Sequence, residues 1–200
     1  MARPRQFDEG AVLDAVVLCF WTQGYQSTSV KTLVARTGIT AASLYNAFGD
    51  KRAIYQRALD HYVEAAIADR IRRCEALPPR AAIEAFFEEI LARSLDDRER
   101  KGCLLVNTAL EVAPHDPACR EAVAEVLARI EAFFLKYAAT GQADGTITRS
   151  LPAEDLARHL LGVLMGVRVL ARVRPERALL EGVVAPALAR LRPEDAAAGI

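Results

Sequence analysis

The sequence predicts an all-helical protein, and three observations lead to that prediction. Apolar residues recur at helical spacing along most of the 200-residue chain, and the alternating pattern of a half-buried strand is nearly absent. Glycine and proline interrupt the periodic stretches where helices would end. With 52% hydrophobic residues, the chain can bury a sizeable core. We expect a small amino-terminal domain, residues 1–52, and a larger helical domain, residues 53–200.

The first predicted helix covers residues 8–23 and ends at Gly24. Its apolar residues follow the i, i+3, i+4, i+7 spacing of one buried face, on Val12, Ala15, Val16, Cys19 and Phe20. Cys19 is therefore interpreted as a small core residue, a common place for a free cysteine. This helix is expected to pack on the two helices that follow.

Residues 28–52, TSVKTLVARTGITAASLYNAFGDKR, predict two short helices joined by a sharp turn. Thr28 is the expected cap of the first helix, Gly38 breaks it, and Thr40 is the expected cap of the second. The second helix then has two faces. Its core face holds Ile39, Leu44 and Phe48, and its outward face holds Thr40, Ala41, Ser43, Tyr45 and Asn46.

The outward face suits a groove in DNA, which predicts a DNA-binding helix-turn-helix. Small side chains let a helix approach base edges, and hydroxyl and amide groups can bind phosphates or bases. Asp50 is expected to cap a third helix whose first turn carries Lys51 and Arg52, a potential anion site. A helical hairpin with an ordinary solvated face is the alternative. The predicted DNA-binding residues are Thr28, Lys31, Thr40, Ala41, Ser43, Tyr45, Asn46 and Lys51.

The same stretch resembles the amino-terminal domain of the TetR family of transcriptional repressors. The matching pattern is F-x3-G-[YF]-x2-[TS]…A…GI-x4-LY-x2-F-x2-K, on Phe20, Gly24, Tyr25, Thr28, Ala35, Gly38, Ile39, Leu44, Tyr45, Phe48 and Lys51. Asn46 departs from the pattern, since many members carry histidine there, and this leaves the operator sequence open. The resemblance implies a homodimeric repressor that binds an inverted-repeat operator in double-stranded DNA and is released by a small organic effector.

Six further helices are predicted after the turn. They cover residues 50–76, 80–94, 102–113, 117–137, 152–172 and 176–191. The first is long enough to connect the two domains as a lever. Asp116 is expected to cap the helix that starts at Pro117, and a loop is expected around Gly141 and Gly145.

The last two helices form the predicted dimer surface. Both are strongly apolar, and Gly162 and Gly166, four residues apart, leave a smooth strip on which another helix can lie. In the TetR family the corresponding pair forms a four-helix interface with its twin. The alternative is that these helices complete the core of a monomer.

The larger domain contains aromatic and polar residues suited to a mostly apolar effector pocket. The predicted walls are Phe86, Phe87, Phe133, Phe134, Tyr137 and Met165, and the predicted polar contacts are Asn107, Thr108, Glu111 and Arg168. Each of these residues also fits an ordinary core position.

Cys103, in KGCLLVN, resembles the sensor cysteine of electrophile- and oxidant-sensing TetR members. It follows Arg98, Arg100 and Lys101 and is expected to open a helix. Nearby cations and the positive end of a helix both favour a thiolate, so Cys103 joins the predicted ligand-binding set. The alternative is a small apolar residue at the start of a buried helix.

Composition and motifs argue against other protein classes. The formal net charge is zero, and the four cysteines have neither metal-site nor disulfide-frame spacing. Hydrolase, P-loop and zinc-peptidase motifs are missing, so we predict no catalytic residue, cofactor or metal and no enzyme. The longest uncharged apolar run, residues 160–167, is too short for a bilayer, and a reducing cytoplasm is the expected location. A DNA-organising protein without an effector and an esterase-like cysteine enzyme remain alternatives.

Overall fold

The computed structural model describes residues 7–193, and every regular element in that range is helical. A π-helical turn, Glu64–Ala68, joins the fourth helix to the fifth. The predicted all-α class is confirmed. The helices are α1 (Glu9–Gln23), α2 (Val30–Thr37), α3 (Ala41–Phe48), α4 (Lys51–Val63), α5 (Asp69–Cys74), α6 (Pro79–Asp96), α7 (Leu104–Glu111), α8 (Pro117–Asp144), α9 (Ala153–Val173) and α10 (Arg177–Ala189).

The chain forms two compact units, which are described separately. Of the described residues, the first unit holds 7–68 and Cys103–Val123. The second unit holds Asp69–Gly102 and residues 124–193. The division into functional domains at residues 1–52 and 53–200 remains a prediction.

In the first unit, α1 packs against α2, α4 and α7, and α3 packs against α2 and α4. Val16, Phe20, Leu33 and Leu44 are almost fully buried between these helices. A buried bond ties α7 to α4, because the hydroxyl oxygens of Tyr55 and Thr108 lie 2.8 Å apart. The expected caps Thr40 and Asp50 and the expected stops Gly24 and Gly38 are all confirmed, and the structure adds Asp8 as the cap of α1.

The predicted cap of α2 is wrong by one residue. Ser29 caps this helix, and its side-chain oxygen accepts the backbone N–H of Thr32 at 3.1 Å. The side chain of Thr28 is fully buried instead, and its hydroxyl donates to Gly24 O at 2.7 Å. Both residues carry a hydroxyl, so the sequence pattern alone favoured neither of them over the other.

In the second unit, α6 packs against α5, α9 and α10, and α9 packs against α10. The buried face of α9 includes Leu156, Leu160, Leu164 and Val167. The hydrophobic spacing of the sequence predicts a buried face on α9, and the two last helices begin and end within two residues of the predicted bounds.

The prediction of a loop around Gly141 is wrong, because α8 continues through Gly141 to Asp144. Ile147 folds back against this glycine so closely that an added Cβ would lie 2.6 Å from Ile147 Cδ1. Gly141 is therefore suited to a close approach of two chain segments. Gly145, with φ of 80°, ends the helix as expected.

The helices of the described residues were compared with the length and hydropathy of a membrane span. None of those helices is both long enough and apolar enough to cross a bilayer.

Candidate nucleic-acid interface

The turn between α2 and α3 is fixed by local hydrogen bonds and one left-handed residue. Gly38 adopts φ 72° and ψ 5°, and its N–H donates to Val34 O at 3.0 Å. Two residues later, Thr40 Oγ1 accepts the N–H of Ser43 at 3.1 Å and starts α3. Leu33 and Leu44 are fully buried beneath the turn. Short-range chemistry therefore sets the angle between the two helices.

The face of α3 opposite Leu44 and Phe48 is open and carries small and polar side chains. Tyr45 is 45% exposed, which is high for an aromatic residue. The Thr40 hydroxyl donates to Ser43 Oγ at 3.0 Å, so the hydroxyl hydrogen of Ser43 remains for an outside acceptor. Thr40, Ala41, Ala42, Tyr45 and Asn46 are exposed, and Ser43 is half-buried.

Two other predicted DNA-binding residues, Thr28 and Lys31, lie just before α2 and on it, and they differ in their exposure. Lys31 is exposed on the first turn of α2. The Thr28 side chain is buried and its hydroxyl hydrogen is already donated, which leaves it no surface to offer a phosphate. Ser29, absent from the predicted set, is the exposed hydroxyl at this helix end.

The amino end of α4 brings two cations next to this helix pair. Asp50 Oδ1 accepts the N–H of Ala53 at 2.8 Å and caps the helix. Lys51 Nζ donates to Gln26 O at 3.4 Å and lies 4.6 Å from the centre of the Tyr25 ring. Arg52 follows Lys51 and is exposed. Cationic side chains at a helix amino end provide a site for an anion such as phosphate.

Arg52 has a partner that sequence reasoning missed. Its guanidinium forms two hydrogen bonds with the carboxylate of Asp116, at 2.5 and 2.7 Å. The hydrogen bond from Arg52 is the main cause that lowers the pKa of Asp116 to about 2, and the N–H of Cys119 contributes next. The Asp-Pro pair did indicate that Asp116 caps α8, which is confirmed by its bonds to the N–H groups of Ala118 and Cys119. No sequence signal connects positions 52 and 116.

The predicted effector residues divide between the two compact units. Cys103, Asn107, Thr108 and Glu111 belong to the first unit, and the others belong to the second. Five aromatic residues of the second unit form one buried cluster whose neighbouring ring centres are 4.9–6.0 Å apart. They are Phe86, Phe87, Phe133, Phe134 and Tyr137.

The polar members of that set already have partners. Arg168 is buried and donates to Ser94 Oγ at 2.9 Å and to Gly102 O at 2.6 Å. Thr108 donates to Leu104 O at 2.7 Å beside the Tyr55 hydroxyl, and Glu111 accepts the N–H of Gln26 at 3.2 Å. Asn107 is buried, and Met165 is half-buried on α9.

An open groove of about 540 Å³ in the second unit involves different residues. Its lining is Gly145, Ile147, Thr148, Arg149, Ser150 and Pro193. None of the residues predicted to bind an effector lines this groove.

Cys103 is the residue immediately before α7, and 8% of its surface is exposed. The Tyr62 hydroxyl donates to its Sγ at 3.5 Å. Tyr62 in turn packs edge-on against Trp21 of α1, with 5.0 Å between the ring centres. Burial raises the pKa of the other three cysteines, Cys19, Cys74 and Cys119. The described residues contain no group of three or more His, Cys, Asp or Glu side chains placed to hold a metal.

Comparison with known proteins identifies both parts of the chain. Residues 12–58 match the family model described as bacterial regulatory proteins, tetR family. Residues 79–185 match the model described as the tetracyclin repressor-like C-terminal domain.

Two curated relatives are bacterial regulators. The repressor ComR of Escherichia coli K12 is 29% identical over 196 residues, which cover 96% of this chain and 92% of ComR. The regulator YezE of Bacillus subtilis 168 is 35% identical over 118 residues, 58% of this chain. Those residues span 61% of YezE, less than two thirds of its length.

A solved structure extends the likeness to the whole fold. It is a cysteine variant of the TetR family transcriptional regulator CifR in complex with a 26-base-pair double-strand operator DNA. Its sequence is 31% identical to this chain, the TM-score is 0.83, and the match covers 95% of this chain and 100% of CifR.

Proposed function

The chain belongs to the TetR family and is a DNA-binding transcriptional regulator, and on this premise we propose that it is a repressor which a small organic effector releases from its operator. The observation that carries the proposal is the exposed small and polar face of α3 next to the two cations at the start of α4. We also propose that it acts from the cytoplasm as a homodimer.

In the proposed docking, α3 enters the major groove and the cations bind the backbone. Thr40, Ser43 and Asn46 face the groove, and Ala41 allows the helix to approach closely. Tyr45, Lys31 and Lys51 bind phosphates and fix the position of the helix without reading sequence. Two copies related by a two-fold axis require an inverted repeat in the operator.

The test replaces Lys51 by alanine and measures affinity for a selected operator at several salt concentrations. Loss of a phosphate contact weakens binding to all sequences alike and reduces the slope of log affinity against log salt by about 0.9 for each contact. Lys136→Ala is the matched control, because Lys136 in the second unit is 60% exposed and pairs with Glu75 at 3.6 Å. Equal behaviour of the two variants would count against this docking, and so would a footprint on a single asymmetric half-site.

The effector is proposed to enter the second unit, whose aromatic side chains provide an apolar interior. An effector that binds the native protein raises its melting temperature in proportion to the logarithm of concentration. We expect apolar organic compounds that raise the melting temperature also to release the operator. A DNA-organising protein without an effector would keep its operator in the presence of every stabilising compound.

A second candidate mechanism is electrophile or oxidant sensing through Cys103. The observation that favours it is that Sγ of Cys103 accepts a hydrogen bond from the Tyr62 hydroxyl at 3.5 Å. With a limiting amount of a maleimide, mass spectrometry should find the adduct first on Cys103, and operator release should vanish in Cys103→Ser. First modification of Cys74 or Cys119 would exclude this mechanism.

A further inference from the structure

Arg52 and Asp116 form a two-point ion pair inside the first compact unit. Arg52 Nε donates to Asp116 Oδ2 at 2.5 Å, and Nη2 donates to Oδ1 at 2.7 Å. Oδ1 also accepts the N–H groups of Ala118 and Cys119 at 3.0 and 3.1 Å, so the first turn of α8 holds the carboxylate in place. Two parallel bonds fix the plane of the guanidinium as well as its distance.

The outer edge of the Arg52 guanidinium stays open. A guanidinium carries more N–H groups than the two used here, and within the part of the chain that the structure describes the others make no hydrogen bond. The Arg52 side chain is 52% exposed, whereas that of Asp116 is 15% exposed. The carboxylate therefore lies behind the arginine and leaves a planar row of donors that matches phosphate oxygens.

The stretch of chain that contains Asp116 also positions the neighbouring cation, Lys51, through Glu111 and Gln26. Lys51 Nζ donates to Gln26 O, and the N–H of Gln26 donates to Glu111 Oε1 at 3.2 Å. Gly24 lies so close to this carboxylate that an added Cβ would be 2.9 Å from Glu111 Oε2. Residues 111–116 thus hold Arg52 directly through Asp116 and hold Lys51 through Gln26.

We propose that Asp116 is a positioning residue for operator binding, which orients the guanidinium of Arg52 toward a DNA phosphate beside the one bound by Lys51. Arg52 is then a phosphate-binding residue in addition to those predicted from sequence. This inference rests on the proposed docking of Lys51 on the DNA backbone. Because the pKa of Asp116 is lowered to about 2, the carboxylate is ionised throughout the neutral range and the pair stays intact there.

The test is a double-mutant cycle on operator affinity with Arg52→Ala, Asp116→Asn and the double variant. Asparagine keeps an oxygen that can cap α8 but removes the charge that orients Arg52. We expect each single variant to weaken binding by about tenfold, the scale of one hydrogen bond to a charged group. Asp116→Asn should have no further effect once Arg52 is alanine, whereas damage to the fold alone would persist in that background.

Glu9→Gln controls for the positive charge that Asp116→Asn adds. Glu9 pairs with another arginine of α4, Arg57, at 3.2 Å in the same unit. We expect Glu9→Gln to bind the operator at least as well as the original protein. If Asp116→Asn tightens binding as much as this control, Asp116 competes with DNA for Arg52 and the positioning role is wrong.

The proposed docking and the proposed positioning role of Asp116 can be refuted independently. If Lys51→Ala weakens binding and Asp116→Asn does not, only the role of Asp116 is overturned. If neither variant changes the affinity, the docking of the α4 amino end is wrong as well.

Discussion

The two compact units start their helices in different ways. In the first unit, side chains of Asp8, Ser29, Thr40, Asp50 and Asp116 accept N–H groups of the helix that each precedes. In the second unit, α6 and α9 follow Pro78 and Pro152, and α10 follows Glu176, without any such bond. Except at α7, which follows Cys103 without a side-chain cap bond, the helices of the first unit therefore start with hydrogen bonds between near neighbours, and those of the second unit start without them.

The interiors of the two units differ in degree, since the second unit also contains buried polar bonds, from Arg168 to Ser94 and Gly102. Polar bonds cross the first unit, including the buried contact of Tyr55 with Thr108, and burial raises the pKa of Tyr55 to about 12. The second unit is centred on five aromatic rings. Hydrogen bonds demand particular atoms at particular places, whereas a packed apolar core accepts other residues of similar volume. The proposed DNA-binding face is therefore expected to be fixed, and the interior of the second unit, where the effector is proposed to bind, is expected to be more adaptable.

The largest expected effect tests the packing of the second unit. Phe134 is fully buried among aromatic rings, and Phe134→Ala should lower the free energy of unfolding by about 3–5 kcal/mol. Denaturation by urea at constant protein concentration measures this change. Leu77→Ala, on a residue that is 38% exposed in the same unit, is the control and should change it by about 0.5 kcal/mol or less. Similar losses in both variants would show that the aromatic cluster is not the main support.

The next effect concerns the outer surface of α9, where packing is expected to continue into a second copy. Among residues 7–193, no neighbouring atom lies within 4 Å of a Cβ added at Gly162 or Gly166, and Val169 and Val173 are 44% and 67% exposed. Leucine at both glycines should raise the dimer dissociation constant by about tenfold or more, roughly 1.4 kcal/mol. Sedimentation measures this dissociation constant. Gly182→Leu on α10 also has room within the chain and separates crowding of the partner from damage to the fold.

A smaller effect tests the polar caps directly. Thr40→Ala should lower the free energy of unfolding by about 1 kcal/mol, because Ser43 loses its hydrogen-bond acceptor. Glu176→Ala is the control at the start of α10, where the side chain makes no cap bond and its ion pair with Arg174 is exposed on both sides. Equal losses at the two positions would remove the distinction between the units.

A further expected effect is a dependence of stability on acid. The pKa of Asp116 lies at about 2, below its usual value of 3.8, so the folded state binds its proton less readily than the unfolded state. The contribution of Asp116 is therefore present above about pH 4 and is lost as the pH falls toward 2. In the second unit, the pKa of Glu89 is also lowered, because burial is outweighed by Arg73, Arg70 and Arg93. Melting temperatures from pH 5 to 2 should fall less steeply in Asp116→Asn and in Glu89→Gln.

Sequence reasoning mostly succeeded where the determinants are local, although it chose Thr28 instead of Ser29 as the cap of α2. Gly38, Thr40 and Asp50 form their hydrogen bonds with residues at most four positions away, so their roles could be predicted from the sequence. It failed at Gly141, where contact with Ile147 overrides the tendency of glycine to end a helix. The π-helical turn at Glu64–Ala68 has no residue signal known to us.

The same distinction applies to the candidate site. The outward face of α3 follows from helical periodicity, and the structure leaves those residues open as predicted. The partnership of Arg52 with Asp116 joins positions 64 apart in the chain and required the fold. The effector residues were chosen by chemical type, and chemical type does not indicate which side chains have already satisfied one another, as Thr108 and Tyr55 have.

The contact of Trp21 with Tyr62 has an optical consequence. Trp21 is the single tryptophan of the chain, so selectively excited ultraviolet emission comes from one known place. Indole emission responds to the polarity and quenching groups of its immediate surroundings, and here these include the tyrosine whose hydroxyl is bonded to Cys103 Sγ. The unlabelled protein therefore carries its own fluorophore beside the α1–α4 contact, and we expect chemistry at the thiol to change its emission.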